Sequence, residues 1–178
     1  MKPPIFAWPI EGKVTQGFGR PALAVEPAMW LAPDESRCKP TKFPGAAFHK
    51  DVHPGIDIAA KVGTPILAPD DGWVVSVVRY RIFNPFVGFV VMGTYAMFRF
   101  RKHGGRQAIL HVDHLSRVKP ENTHVKKGKP WAWTGSSGVV TGPHAHLEVR
   151  VGPSEDAPQQ SWSWFRRNPE RYLRGELA

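Results

Sequence analysis

Apolar residues in this chain recur at intervals of two and are interrupted by glycine or proline before they can build a helical stripe. From Gly55 onward the runs are short: GIDIAA at 55–60, TPILAP at 64–69, WVVSVVRYRI at 73–82, FVGFVVM at 86–92, AMFRFR at 96–101, QAILHVDHL at 107–115 and HAHLEVRV at 144–151. In a strand, successive side chains face opposite sides, so each run can bury one face. GKVTQGFG at 12–19 reads as an earlier short strand closed by a glycine turn, and DDG at 70–72 as another turn. No stretch of about 12 residues carries the spacing of an amphipathic helix. The 17 Gly and 18 Pro, without a collagen-like period, belong to a turn-rich β protein. Near the end, NPERYLRGEL has room for one or two helical turns, with Asn168 as cap and Pro169 at the first helical position. The expected architecture is mostly β: a single small antiparallel β-sheet domain spanning 1–178. Within it a core is expected at about 52–151, a long loop rich in Pro, Ala and charge at 20–52, and a C-terminal flank at 152–178.

Composition narrows the function classes. The single cysteine, Cys38, cannot form an intramolecular disulfide, and a zinc ribbon, which needs several thiolates, is excluded. MKPPIFAWPIEGKV at the start has neither a long apolar segment nor a small-residue cleavage site, so no secretory signal is expected. The longest apolar run, near 83–98, is broken by Pro and Gly and falls short of the roughly 20 residues of a spanning helix. No membrane insertion is expected. The formal charge of +9 draws the chain to polyanions: nucleic acid, anionic lipid or the anionic polymers of a bacterial wall. Six of the basic residues fall between Arg79 and Arg106, with no acidic residue among them. That stretch is either a solvated face or a contact patch. Residues 116–130 read as a polar connector, and His103 and His124 as solvent-exposed.

Three segments carry chemistry. His144 and His146 stand two apart in GPHAHLEVR and project from one strand face, roughly 7 Å apart along the backbone. Both can address one metal, or one can bind it while the other handles protons beside it. In HPGID, Pro54 and Gly55 exclude a helix, and a loop entering a strand lets His53 and Asp57 converge. Asp57 lies in an apolar run, where a lone carboxylate is costly unless a cation offsets its burial. The plainer reading is a turn-stabilising Asp and a surface His. In HVDHLS, His111 and His114 fall on opposite faces of a continued strand, and His114, at the strand end, is the better candidate; a half-buried structural His is the plainer alternative. Together His53, Asp57 and His146 make a two-His, one-carboxylate set for a catalytic zinc ion with water in the fourth position. His114 and His144 are left as bases or hydrogen-bond donors beside it.

The blocks HPGIDIAA, GTPILAPDDGWV, HLSRV, VKKG and TGSSGVVTGPHAHLEVR, in this order from about Val52 to Arg150, resemble the lysostaphin/LytM-type zinc endopeptidases of bacterial peptidoglycan. WPIEGKVTQGFG and NPERYL resemble that family's flanks. The resemblance implies a small antiparallel β-sheet domain of the duplicated-hybrid-motif type, with a groove walled by loops. Residue by residue, it implies His53, Asp57 and His146 as zinc ligands, with His114 and His144 as the catalytic histidines. His49 is set aside because only His53 is followed by Gly-x-Asp. Three departures stand out: Ala145 and Leu147 replace the bulkier neighbours of the final His pair, and both 80–106 and 20–52 are long.

The implied function is zinc-dependent hydrolysis of peptide bonds in peptidoglycan stem peptides or cross-bridges. The implied enzyme is made in the cytoplasm and released as a phage-type or virion-borne lysin, or is extracellular, and acts as a monomer at the cell wall. A non-catalytic wall-binding or activating module of the same family is the alternative; the presence of all five polar positions argues against it. A nucleic-acid binder would need a stacking sheet or recognition helix, and no such motif is present.

Overall fold

A computed structural model describes residues 6–19, 29–31, 37–40, 53–84, 88–103, 106–138, 140–152 and 165–177. Its strands are β1 Lys13–Gln16, β2 Met29–Leu31, β3 Arg37–Pro40, β4 Ile56–Ala59, β5 Pro65–Leu67, β6 Gly72–Asn84, β7 Gly88–His103, β8 Arg106–Asp113, β9 Leu115–Val118, β10 His124–Val125, β11 Pro130–Thr134, β12 His144–Val151 and β13 Phe165–Arg167. One helix, α1 Pro169–Leu173, follows. Asn168 caps it by accepting from the Arg171 N–H, and Pro169 occupies its first turn, as the tail pattern predicts.

The larger sheet runs β10-β6-β7-β8-β12-β13-β3-β2, and a smaller one runs β5-β11-β9. Every pairing within them is antiparallel. The large sheet forks at β12. On one side β12 pairs with β8 from His146 to Val151. On the other, its first half pairs with β4 (His144↔Ala59 through Leu147↔Ile56), while its second half pairs with β13. β1 adds to the outer edge of β4.

Alternation assigns the two faces of this sheet. Ala145, Leu147, Val149 and Val151 of β12, Ala108, Leu110 and Val112 of β8, and Ala96, Phe98 and Phe100 of β7 are buried in one core with Ile56 and Ile58 of β4. Trp131, Ile66 and Leu115 from the small sheet close over this core. Phe6 stacks on Tyr172 at 5.5 Å and meets Phe100 edge-on at 5.3 Å, tying the N-terminal flank and α1 to the sheet. At about 1.5–3 kcal/mol per fully buried large apolar side chain, this layer is what holds β4, β8 and β12 in register. The alternate residues on the opposite face, His144, His146, Glu148, His111, Asp113 and Asp57, are thereby presented together.

Several elements differ from the sequence expectation. Residues 88–92 and AMFRFR are parts of one 16-residue strand, β7; its register with β6 shifts between Tyr80 and Arg81, where Met92 of β7 is skipped, without ending the pairing. The polar connector 116–130 contains β10 and most of β9. The long loop 20–52 includes β2 and β3, which extend the large sheet beyond β13; the rest of that segment, and His49, lie outside the described residues. Of the six basic residues at 79–106, Arg79 is exposed and Arg99 partly buried, and the other four side chains lie outside the described set. His124 is exposed as expected, and the side chain of His103 is outside that set.

Candidate metal centre and paired histidines

His53 precedes β4 at a bend and is fully buried. The bend depends on Gly55: a Cβ there would stand 2.2 Å from the Leu147 carbonyl oxygen, so only glycine lets this turn lie against β12. The glycine turn after β1 grips the same residue from the other side. The Gly19 N–H donates to the His53 carbonyl at 3.0 Å, and the His53 Nδ1–H donates to the Gly17 carbonyl at 3.2 Å. A carbonyl can only accept, so the proton of neutral His53 is on Nδ1 and its Nε2 carries a lone pair.

That lone pair points into a triangle. His53 Nε2 is 3.0 Å from His146 Nδ1 and 3.3 Å from Asp57 Oδ1, and His146 Nδ1 is 2.9 Å from the same carboxylate oxygen. Asp57 and His146 reach it because they are direct cross-strand partners of β4 and β12 on one face. On its other side, His146 Nε2 faces the Glu148 carboxylate at 3.6 Å, an electrostatic contact longer than a hydrogen bond. With that proton directed to Glu148, three acceptor atoms meet at the triangle and demand positive charge. Zinc bonds of about 2.0–2.1 Å in tetrahedral geometry place ligand atoms about 3.3 Å apart, close to the edges found here. The donor set therefore fits such an ion, and among the described residues it is the one group of His, Cys, Asp or Glu that can hold a metal.

The electrostatics carry the same demand. Burial opposes charge on His146, yet its contact with Asp57 and the Glu148 and Asp113 carboxylates raise its pKa well above the usual value. Burial also opposes ionisation of Asp57, but hydrogen bonding to His146 and His53 holds it far below the ordinary carboxylate range. A proton on His146 answers the negative field that a cation would otherwise answer. Glu148 is itself buried and is kept ionised, against that burial, by Arg150 and Arg166, with Arg166 Nε at 3.2 Å. Asp113 is likewise held down, despite burial, by the charge and hydrogen bond of His111 at 2.9 Å.

Beside the triangle stand two more imidazoles. The rings of His114 and His144 have centroids 4.6 Å apart, tilted by 54°. His114 donates from Nδ1 to the Ser137 carbonyl at 2.8 Å, and His144 from Nδ1 to the Gly142 carbonyl at 2.9 Å. Each neutral ring is thus left with Nε2 as its proton acceptor. Burial lowers the His114 pKa, the Ser137 carbonyl and Asp113 offsetting only part of the effect, so His114 is neutral near pH 7.

All five residues singled out in the sequence come together, three in the triangle and two in the adjacent pair. One expectation from the sequence does not hold in the structure. His111 does not face away from the site: its cross-strand partner is Glu148, on the same face as His146, and Tyr95 stacks on it at 4.9 Å. The strand stops at Asp113, and His114, at φ 64°, turns out of it, so alternation does not apply across that point. The supporting partners Gly17, Ser137 and Gly142 act through backbone carbonyls, which no residue type announces. Glu148, Arg150 and Asp113 were open to detection as charges placed on the polar side of otherwise apolar strands.

Comparison with known proteins bears on the family and the fold. The Peptidase family M23 profile covers residues 51–159. A protein of Haemophilus influenzae named an uncharacterized metalloprotease is 38% identical over 101 residues, 56% of this chain and 18% of its own length. The peptidoglycan DD-endopeptidases ShyB and ShyC of Vibrio cholerae are 32% and 34% identical, over 56% and 60% of this chain and 20% and 22% of theirs. The chain therefore spans about a fifth of the length of these curated relatives. Among solved structures, the catalytic domain of lysostaphin from Staphylococcus simulans superposes with a TM-score of 0.56 at 22% identity, covering 91% of this chain and 92% of that one. LytU does so with a TM-score of 0.56 at 19% identity, covering 93% and 90%. Both share the mostly antiparallel β fold. The chain belongs to peptidase family M23.

Proposed function

We propose that this protein is a zinc-dependent endopeptidase that hydrolyses peptide bonds in bacterial peptidoglycan, at the D-alanine-linked cross-links of stem peptides. The observation that carries the reading is the triangle of His53 Nε2, Asp57 Oδ1 and His146 Nδ1 lying beside two imidazoles whose Nδ1 protons are tied to carbonyls. The names of relatives at 32–38% identity, DD-endopeptidases and a metalloprotease, support the substrate class and the metal.

In this reading His53, Asp57 and His146 hold the ion, and three protein ligands leave a tetrahedral metal one further position. Zinc, when bound, supplies Lewis acidity that polarises a peptide carbonyl and makes water acidic near neutral pH. His114, neutral and with its Nε2 lone pair available, takes a proton from the attacking water. The water oxygen bonds to the carbonyl carbon, the carbon–nitrogen bond breaks, and the proton passes to the departing amine. His144, in ring contact with His114, hydrogen-bonds the reacting group and shares the charge of that transfer. The residues proposed as catalytic are therefore His114 and His144, within a single metallopeptidase domain whose core is 52–151. The basic chain, at +9, favours approach to the anionic polymers of the wall.

Digestion of purified peptidoglycan of several cross-link types, with mass spectrometry of the new termini, tests this. New amino groups are expected at D-alanine-linked cross-links. Chelation abolishes them, and His146→Ala does not recover with added zinc. New sugar reducing ends would contradict the peptidase assignment.

A further inference from the structure

The segment 134–138, Thr-Gly-Ser-Ser-Gly, threads between the two histidines. Gly135 forms an isolated bridge with His144, and two residues later the Ser137 carbonyl receives the His114 Nδ1 proton at 2.8 Å. A loop carbonyl is free to swing unless something holds it. Here the serine's own hydroxyl does so at two points. It accepts from the Thr94 N–H at 2.9 Å and donates to the Leu115 carbonyl at 3.1 Å. One contact lies in β7 and the other at the start of β9, immediately after His114. β7 admits this loop only because residue 93 has no side chain: Gly93 lies at φ 110°, and a Cβ there would come within 2.8 Å of the Ser137 carbonyl oxygen. The strand is also irregular at this point, pairing Tyr80 with Gly93 and then Arg81 with Val91.

We propose that Ser137 is a positioning residue: its hydroxyl, clamped between Thr94 and Leu115, fixes the backbone carbonyl that holds His114 as the Nδ1–H tautomer and keeps Nε2 as the proton acceptor. The inference rests on the reading of His114 as the base in peptide hydrolysis, but its structural part does not need turnover to be seen. A free neutral imidazole exchanges its proton between both nitrogens, so a base that must present one of them loses efficiency when its partner is loose.

Side-chain 1H–15N spectra of the zinc-loaded protein, with steady-state hydrolysis of purified peptidoglycan, test the clamp. The wild type is expected to show His114 as the Nδ1–H tautomer alone. Ser137→Ala should populate both tautomers and lower kcat about tenfold, with KM and zinc content changed by less than about twofold. Ser137→Thr, which keeps a hydroxyl, should restore both signals, and Ser136→Ala, an exposed neighbour, should match the wild type. If Ser137→Ala does not fold, Ser137→Cys, with a weak donor and acceptor, is read in the same way. An unchanged tautomer in the variant, or a loss of activity explained by lost zinc or raised KM alone, would overturn the proposal. The tautomer comparison decides the clamp even on a protein that cuts nothing, a result that would count instead against the peptidase reading.

Discussion

At the residue scale, the site is organised by which atom of each ring carries a proton. His53, His114 and His144 each give their Nδ1 proton to a backbone carbonyl, while His146 alone offers Nδ1 to the triangle and turns Nε2 to Glu148. A pH dependence follows for the chelated protein. The folded-state pKa of His146 lies above the ordinary 6.5, so the pairing with Asp57 contributes fully below that value and is lost as pH rises through the folded pKa. Asp57, held below 3.8, contributes above that value and loses its contribution only as pH falls well under it. With a chelator present, the Tm is therefore expected to be lower at about pH 9 than at about pH 6. A cation held at the triangle would displace the His146 Nδ1 proton, so the Tm gap between zinc-loaded and chelated protein should widen as pH rises. Thermal scans with and without zinc check this; a chelated protein whose Tm does not fall toward alkaline pH would contradict the geometry of the triangle.

At the scale of elements, the site exists because β4 lies against β12 in a register that places Asp57 beside His146. Gly55 is the point where that approach is closest. Gly55→Ala is expected to push the bend away from β12, to cost about 1–3 kcal/mol of stability and to lower zinc occupancy in step. Urea unfolding together with metal analysis measures both, and a stable variant with full zinc content would show that the bend has room to spare. This part of the fold was legible in the sequence. HPGID, with its breaker pair before an alternating run, predicts the bend and the strand, and HAHLEVRV shows its two faces directly. Other elements were hidden for physical reasons. β2, β3 and β13 have three or four residues each, too few to display a period, and gain their pairing only from one another and from β12. β11 opens on a proline, and β9 carries exposed polar residues, so neither stands out from a connector. In the sequence His114 reads as a strand-end residue, but it presents its ring because its own backbone leaves the strand.

At the scale of the whole molecule, one sheet separates two tasks. Its apolar face builds the core, and its polar face carries the triangle, the histidine pair and the Glu148–Arg150–Arg166 group that keeps a buried carboxylate ionised. In the proposed function, the net charge of +9 would act on the approach to substrate rather than on the chemistry. Cleavage of intact, polyanionic walls is thus expected to slow by about tenfold between low and high salt, while cleavage of a small soluble cross-linked peptide changes little. Equal salt dependence of the two rates would assign the effect to the site itself. The central claim is that a loop and two strands meet to hold one ion. X-ray absorption at the zinc edge of protein loaded to one equivalent tests it most directly. The account predicts two imidazole nitrogens and oxygen ligands at about 2.0–2.2 Å, with the signal lost from an Asp57→Ala, His146→Ala double variant. A sulfur scatterer at about 2.3 Å, which could come only from cysteine or methionine, or an unchanged spectrum in that variant would contradict it.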